Sequence, residues 1–266
     1  MKRIKRKKRR GIYLLPNLIT SASLYCGFYS ILSSISGNFY KASMLILLAI
    51  LFDAMDGRIA RLTNSTSRFG MEYDSLSDLI AFGVAPAILV YYWSLHGMGK
   101  IGSIAPFIFL ICGALRLARF NTQTSTPQNG DNFTGLPIPG AAGIVASLVI
   151  FSNELSLFVN KYEVELFILI NFIGFLMVST IKYPAFKSLN MMSARPFHVL
   201  VTVILLLLPI LYHPEVMIFF LFISYALLGP FFKQIKQVIS YVLQLPNRQN
   251  VLEKKERKQI DTTGHL

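Results

Sequence analysis

Four aspartates, Asp53, Asp56, Asp74 and Asp78, stand at successive spacings of 3, 18 and 4 residues. On a helix, residues three or four apart share a face. Asp53 and Asp56 therefore share a face of one helix, and Gly70, Asp74 and Asp78 share a face of the next. The polar run 63–67 between them reads as a turn. Two antiparallel helices joined this way can aim all these carboxylates into one pocket. Such an oxygen-only donor set suits hard divalent cations and the phosphates that such cations bind. Two ions would balance the four charges and could clamp a diphosphate. Gly57, beside Asp56, lets a ligand approach the helix backbone. Arg61 falls near the face of Asp53 and can neutralise phosphate oxygens, and Ser67 can donate to one. Asp78, deepest along its helix, suits a ligand, a general base or both.

The elements that must carry these groups are apolar. Residues 42–52 before the cluster and 79–90 after it are membrane-grade runs. An aspartate at mid-bilayer costs roughly 3 kcal/mol, so four negative charges here are a poor stability device and a good functional one. The chain is 53% hydrophobic and 15% charged, with the apolar residues in long runs and not in alternating stripes. That excludes an ordinary soluble domain and indicates an all-α, polytopic transmembrane helix bundle. The net charge of +13 is concentrated in tails and short loops. Membrane topology accounts for it, and no nucleic acid partner is expected. Cys26 and Cys112 lie in apolar runs and imply neither a disulfide framework nor a metal motif.

Taken in order, residues 1–15 form a basic juxtamembrane arm suited to anionic headgroups. Residues 16–233 hold about eight spans, near 16–36, 39–61, 70–95, 101–120, 137–158, 163–181, 197–212 and 214–233. Pro16 suits the first turn of the first helix, where Asn17 and Thr20 share a face. Residues 234–266 form a basic, polar tail. Of 26 Lys and Arg, only Lys41, Lys100 and Lys161 fall at the outer ends of these spans. The positive-inside rule then puts both termini and the aspartate pocket on the cytoplasmic side of the cell (inner) membrane. The polar loop 121–136 lies on that side and could cover the pocket. The four histidines fall in loops or at helix ends and none has a second ligand at useful spacing.

The pattern Asp53-x2-Asp56-Gly57-x2-Ala60-Arg61-x8-Gly70-x3-Asp74-x3-Asp78 resembles the signature of the CDP-alcohol phosphotransferases at every defining position. The runs 75–86, 112–121 and 133–139 are similar to the bacterial membrane-bound phosphatidylserine synthase branch of that family. The resemblance implies a metal-dependent transferase of phospholipid biosynthesis. CDP-diacylglycerol and L-serine would give phosphatidylserine and CMP. Carried over by position, Asp53, Asp56, Asp74 and Asp78 are metal ligands, with Asp78 also the catalytic base. Pro16, Asn17, Leu18, Ile19, Gly57, Arg61, Ser67 and Gly70 would hold the CDP-lipid. Mg2+ or Mn2+, as an ion pair, is the implied cofactor, and a homodimer the implied assembly. Arg116 and Arg119, three apart at the cytoplasmic end of a helix, suit the carboxylate of serine. A phosphate-bearing acceptor would also favour two arginines, so glycerol 3-phosphate, the acceptor of phosphatidylglycerophosphate synthases, stays open. A divalent-cation transporter is the reading from another class. It leaves Gly57, Arg61 and Gly70 unexplained, and it wants acidic residues through the whole membrane depth.

Overall fold

The computed structural model describes residues 14–63, 65, 67–124, 132–155, 162–184 and 213–244. Most of the basic arm, the span expected at 197–212, Lys187, Arg195 and the tail beyond 244 lie outside the described residues. Eight α-helices are described: α1 Leu14–Ile35, α2 Phe39–Leu62, α3 Arg68–Asp78, α4 Ala85–Trp93, α5 Ile104–Thr124, α6 Ile138–Glu154, α7 Glu163–Val178 and α8 Pro214–Gln244. By its contacts the chain divides after Gly229, and residues 230–244 belong to a second unit.

The all-α expectation holds, with two details that the sequence did not announce. The span expected at 70–95 is α3 and α4 joined by a π-helical segment, Leu79–Val84, directly after Asp78. Two three-residue strands also pair antiparallel, β1 Asn132–Thr134 with β2 Lys182–Pro184, Phe133 opposite Tyr183.

Leu14–Ile35, Arg68–Trp93 and Ile101–Thr122 are long and apolar enough to cross a membrane, and Ile138–Glu154 and Pro214–Gly229 are shorter apolar helices. The chain is an integral membrane protein. On α7, Ile168, Phe172 and Phe175 point outward while Leu166, Ile170, Ile173 and Met177 are buried. A helix apolar on both faces belongs in lipid, not in water.

Helices α1 and α2 form the hairpin on which the site is built. Asn38 N–H donates to Ser33 O and Gly37 N–H to Ser34 O, with Gly37 at φ +77, so a Schellman turn ends α1. Small residues bring the two helices close. Ser23 Oγ donates to Ala49 O at 3.0 Å and Ser30 Oγ to Ala42 O at 2.8 Å. Interhelical hydrogen bonds at small-residue interfaces are the usual glue of membrane helices. Helix α6 is the most enclosed element, with Gly140, Ala141, Ala142, Gly143 and Ala146 all buried.

Candidate active site

Helix α2 brings Asp53 and Asp56, and α3 brings Asp74 and Asp78, as their spacing required. Carboxylate oxygens of Asp53, Asp56 and Asp74 all lie within 4.8 Å of one another. Asp78 joins them through Asp53, the two carboxyls being within hydrogen-bonding reach. The chain between the helices is set by Ser67, the N-cap of α3, whose Oγ accepts from Gly70 N–H at 3.0 Å.

Helix α1 supplies the third wall. The Thr20 hydroxyl has Asp56 Oδ2 at 2.7 Å and Pro16 O at 3.1 Å. Ser77 Oγ donates to Thr20 O at 3.2 Å, and Ser21 Oγ meets the Tyr73 hydroxyl at 2.8 Å. These bonds pin α3 to α1 on either side of the carboxylates. Asp56 is 5% exposed, while Asp74 Oδ1 is buried without any hydrogen-bond partner. Crowded, partly buried carboxylates with an orphaned oxygen fit a divalent cation. Like charges at this distance repel, and an unpaired buried charge is costly.

Beside the cluster opens a cavity of about 160 Å³. Its walls are Pro16, Asn17 and Thr20 of α1, Asp56, Gly57 and Ala60 of α2, Ser65 and Ser67 of the turn, and Gly70, Met71 and Asp74 of α3. A methyl group on Gly57 would meet nothing within 4 Å. Nothing in the protein's own packing therefore needs glycine there, and its bare backbone faces open space. Gly70 is different: a methyl would come 3.1 Å from Ser67 Oγ and 3.4 Å from Asn17 Oδ1.

The expected CDP-lipid set is thus only partly assembled. Pro16, Asn17, Gly57, Ser67 and Gly70 line the cavity. Leu18 is 58% exposed and points away, and Ile19 lies off the lining, because consecutive residues diverge around a helix. The Arg61 side chain is exposed and turns back along α2, its Nε donating to Gly57 O at 2.9 Å. Thr20 and Ser65 were not in the expected site. The position of Thr20, on the Asn17 face four residues after Pro16, was the available signal; Ser65 lies in a turn, where no period fixes direction.

The two arginines separate. Arg116 is 9% exposed, lies within electrostatic range of Asp78, Tyr225 and Arg119, and has a buried Nε without a partner. Arg119 points instead to the C-terminal end of α7, with Nη1 3.5 Å from Val178 O, where a cation complements the helix dipole. Ser75 and Asn121 exchange hydrogen bonds of 3.0 and 3.2 Å, tying α3 to α5.

The structure thus sets a carboxylate cluster able to hold a metal ion at the edge of a small cavity among apolar helices. The chain belongs to the CDP-alcohol phosphatidyltransferase family, whose profile matches residues 13–230. Among its relatives is the CDP-diacylglycerol–serine O-phosphatidyltransferase of Helicobacter pylori, 43% identical over 179 residues, 67% of this chain and 75% of that one. The archaetidylserine synthase of Methanothermobacter thermautotrophicus is 41% identical over 192 residues, 71% of this chain and 77% of its own. The CDP-diacylglycerol–serine O-phosphatidyltransferase of Bacillus subtilis is 35% identical over 173 residues, 65% and 91% of the two chains.

Proposed function

We propose that this protein transfers the phosphatidyl group of CDP-diacylglycerol to L-serine, giving phosphatidylserine and CMP. Relatives that carry this activity in their names support the acceptor. The observation that carries the reading is Arg116, a buried cation whose Nε has no hydrogen-bond partner and which lies within electrostatic range of Asp78. A serine bound there has its carboxylate on the guanidinium and its hydroxyl toward the carboxyl of Asp78. Asp78 takes the hydroxyl proton as the serine oxygen attacks the phosphorus on the lipid side. The bond from that phosphorus to the bridging oxygen breaks, and CMP leaves with the electron pair.

Asp53, Asp56 and Asp74, with Asp78, would hold Mg2+ or Mn2+, as one or two ions. A bound ion supplies charge neutralisation at the diphosphate. Asn17, Gly57, Ser67 and Gly70 form the cradle for the cytidine diphosphate end, and Arg61 reaches it only by a change of rotamer. Residues 1–15 and 234–266 flank the catalytic domain as basic arms at the cytoplasmic face. Both termini and the site lie on that side of the cell membrane, and the protein works as a homodimer as its resemblance implies. Family membership tells against the cation-transporter reading.

Purified protein with CDP-diacylglycerol and each acceptor tests the assignment. CMP release is expected with serine. Release with glycerol 3-phosphate and not with serine would sink it. Arg116→Ala and Arg116→Lys are both expected to raise the serine KM about 30-fold or more, the cost of losing one buried charge-assisted contact. Lysine fails as well because a point charge lacks the planar fork.

A further inference from the structure

Thr20 lies on α1, outside the run from Asp53 to Asp78 that carries the four aspartates. It nevertheless touches both helices that hold them. Its hydroxyl is 2.7 Å from Asp56 Oδ2 on α2. Its main-chain oxygen accepts from Ser77 Oγ at 3.2 Å on α3, between Asp74 and Asp78. Thr20, Asp56 and Ser77 are all buried, so water competes weakly for these bonds. The next residue, Ser21, meets the hydroxyl of Tyr73, the neighbour of Asp74, at 2.8 Å.

The Thr20 hydroxyl has one proton and two acceptors in reach. Pro16 O is 3.1 Å away, and in a helix that oxygen already takes the N–H of the residue four places on. Asp56 Oδ2 is nearer, a carboxylate is the stronger acceptor, and 2.7 Å is the length of a charge-assisted bond. The proton therefore goes to Asp56. A threonine side chain is branched at Cβ and stiff about χ1, so the backbone of α1 fixes where the hydroxyl stands. Helix α1 is in turn tied to α2 by Ser23 Oγ on Ala49 O and Ser30 Oγ on Ala42 O. One oxygen of Asp56 is thus held from a wall that is itself fastened to the helix bearing Asp56.

We propose that Thr20 is a positioning residue for the metal site: its hydroxyl holds the Asp56 carboxylate in the rotamer that meets Asp53 and Asp74, and so sets the affinity for a divalent cation. The three aspartates bring oxygens within 4.8 Å of one another only while each carboxylate keeps its direction. Like charges repel, so an untethered Asp56 would turn away from its neighbours. A hydrogen bond donated to the charged form offsets that repulsion before an ion arrives. Partners that orient metal ligands in this way typically carry roughly 10- to 100-fold in metal affinity. This inference rests on the reading of the aspartates as a divalent-cation site.

The test uses the purified full chain in nanodiscs, without CDP-lipid, titrated with Mn2+ alone and read by the electron paramagnetic resonance of the free ion. Thr20→Val keeps the shape and removes the hydroxyl; Thr20→Ser keeps the hydroxyl and removes the methyl. Thr20→Val is expected to weaken Mn2+ binding about 10-fold or more, and Thr20→Ser to stay within about threefold of the unmodified protein. The Mn2+ concentration for half-maximal CMP release, at saturating CDP-diacylglycerol and serine, should shift the same way. Unchanged Mn2+ affinity in Thr20→Val overturns the inference. So does a Thr20→Ser variant as weak as Thr20→Val, which marks the methyl and a packing role. Thr20 also lines the cavity, so a raised KM for CDP-diacylglycerol with native Mn2+ affinity would make it a substrate contact and overturn the inference as well. Should Thr20→Val not accumulate in membranes, Thr20→Ala enters the same titration with the same expectations. Failure of both to accumulate marks a structural role and overturns the inference. An unmodified protein that binds no Mn2+ overturns the metal-site reading itself.

Discussion

Asp78 and Gly57 show how far single residues define this site. Asp78 lies within electrostatic range of Arg116 and is joined to the cluster through Asp53. Asparagine in its place keeps the shape but cannot accept a proton. Asp78→Asn is therefore expected to lower kcat by about 10²- to 10⁴-fold, with CDP-lipid binding preserved. Turnover and equilibrium binding, measured on the same preparation, check this. Binding lost as steeply as rate would make Asp78 chiefly a ligand for the ion. Gly57 carries a prediction of opposite signs. A methyl there meets no protein atom, and alanine is better than glycine in a helix by about 1 kcal/mol. Gly57→Ala is expected to raise thermal stability while raising the KM for CDP-diacylglycerol, because the methyl enters the mouth of the cavity. Thermal unfolding and a substrate titration read the two effects separately. A stabilised variant with an unaltered KM would move the CDP-lipid away from Gly57.

At the scale of elements, the crossing of α1 with the π-helical segment decides where Asp78 sits. The segment begins at Leu79, and π turns widen a helix and shift the direction of the residues beside them. Gly27 is where α1 meets it: a methyl there would stand 2.6 Å from Ala81 Cα and 2.8 Å from Ala81 Cβ. The first of these is backbone and cannot move aside like a flexible chain end. Gly27→Leu is expected to cost about 1–3 kcal/mol of stability or more, and to lower kcat because α3 shifts with its carboxylates. Gly27→Ala should do the same more weakly. A Leu variant with native melting and native rate would remove this crossing from the account. Neither the π segment nor the crossing was legible beforehand. Residues 79–90 are apolar almost without interruption, so no period in them reports a change of helical pitch. The aspartates were legible for the opposite reason: their spacing is local, and helical geometry alone brings each pair to one face. Ser67 and Gly70 were legible as residues, but their shared N-cap needed coordinates. Arg116 comes within electrostatic range of Asp78 only through tertiary packing, from another helix. The β1–β2 ribbon is three residues a side, too short for alternation to show.

For the whole molecule, the question is which way the bundle faces. The hydrophobic bundle follows from composition, and among the described residues three segments meet the length and polarity of a membrane crossing. Helix α2 reads less clearly, because its 24 residues include Lys41, Asp53, Asp56, Arg58 and Arg61. Two of those charges, Asp53 and Asp56, belong to the carboxylate cluster, and they make its helix look less like a span. Orientation rests on the asymmetry of Lys and Arg, and it can be tested without assaying activity. Cys26 and Cys112 are both buried, at 5% and 7% exposure, so replacing them by alanine or serine leaves a quiet background. Lys100 stands between two short 3-10 turns that follow the far end of the helical run Arg68–Trp93, and Arg68 opens that run at the end that carries Asp74 and Asp78. Both side chains are exposed. A membrane-impermeant maleimide applied to intact cells is expected to label Lys100→Cys. Arg68→Cys should react only after the membrane is opened. The bilayer core, roughly 30 Å thick, separates the two positions, so a reagent that cannot cross cannot reach both from one side. The reverse pattern would turn the bundle over and put the carboxylates outside. CDP-linked lipid would then have to be presented from the far leaflet, and the cytoplasmic reading of the basic arms would fall with it.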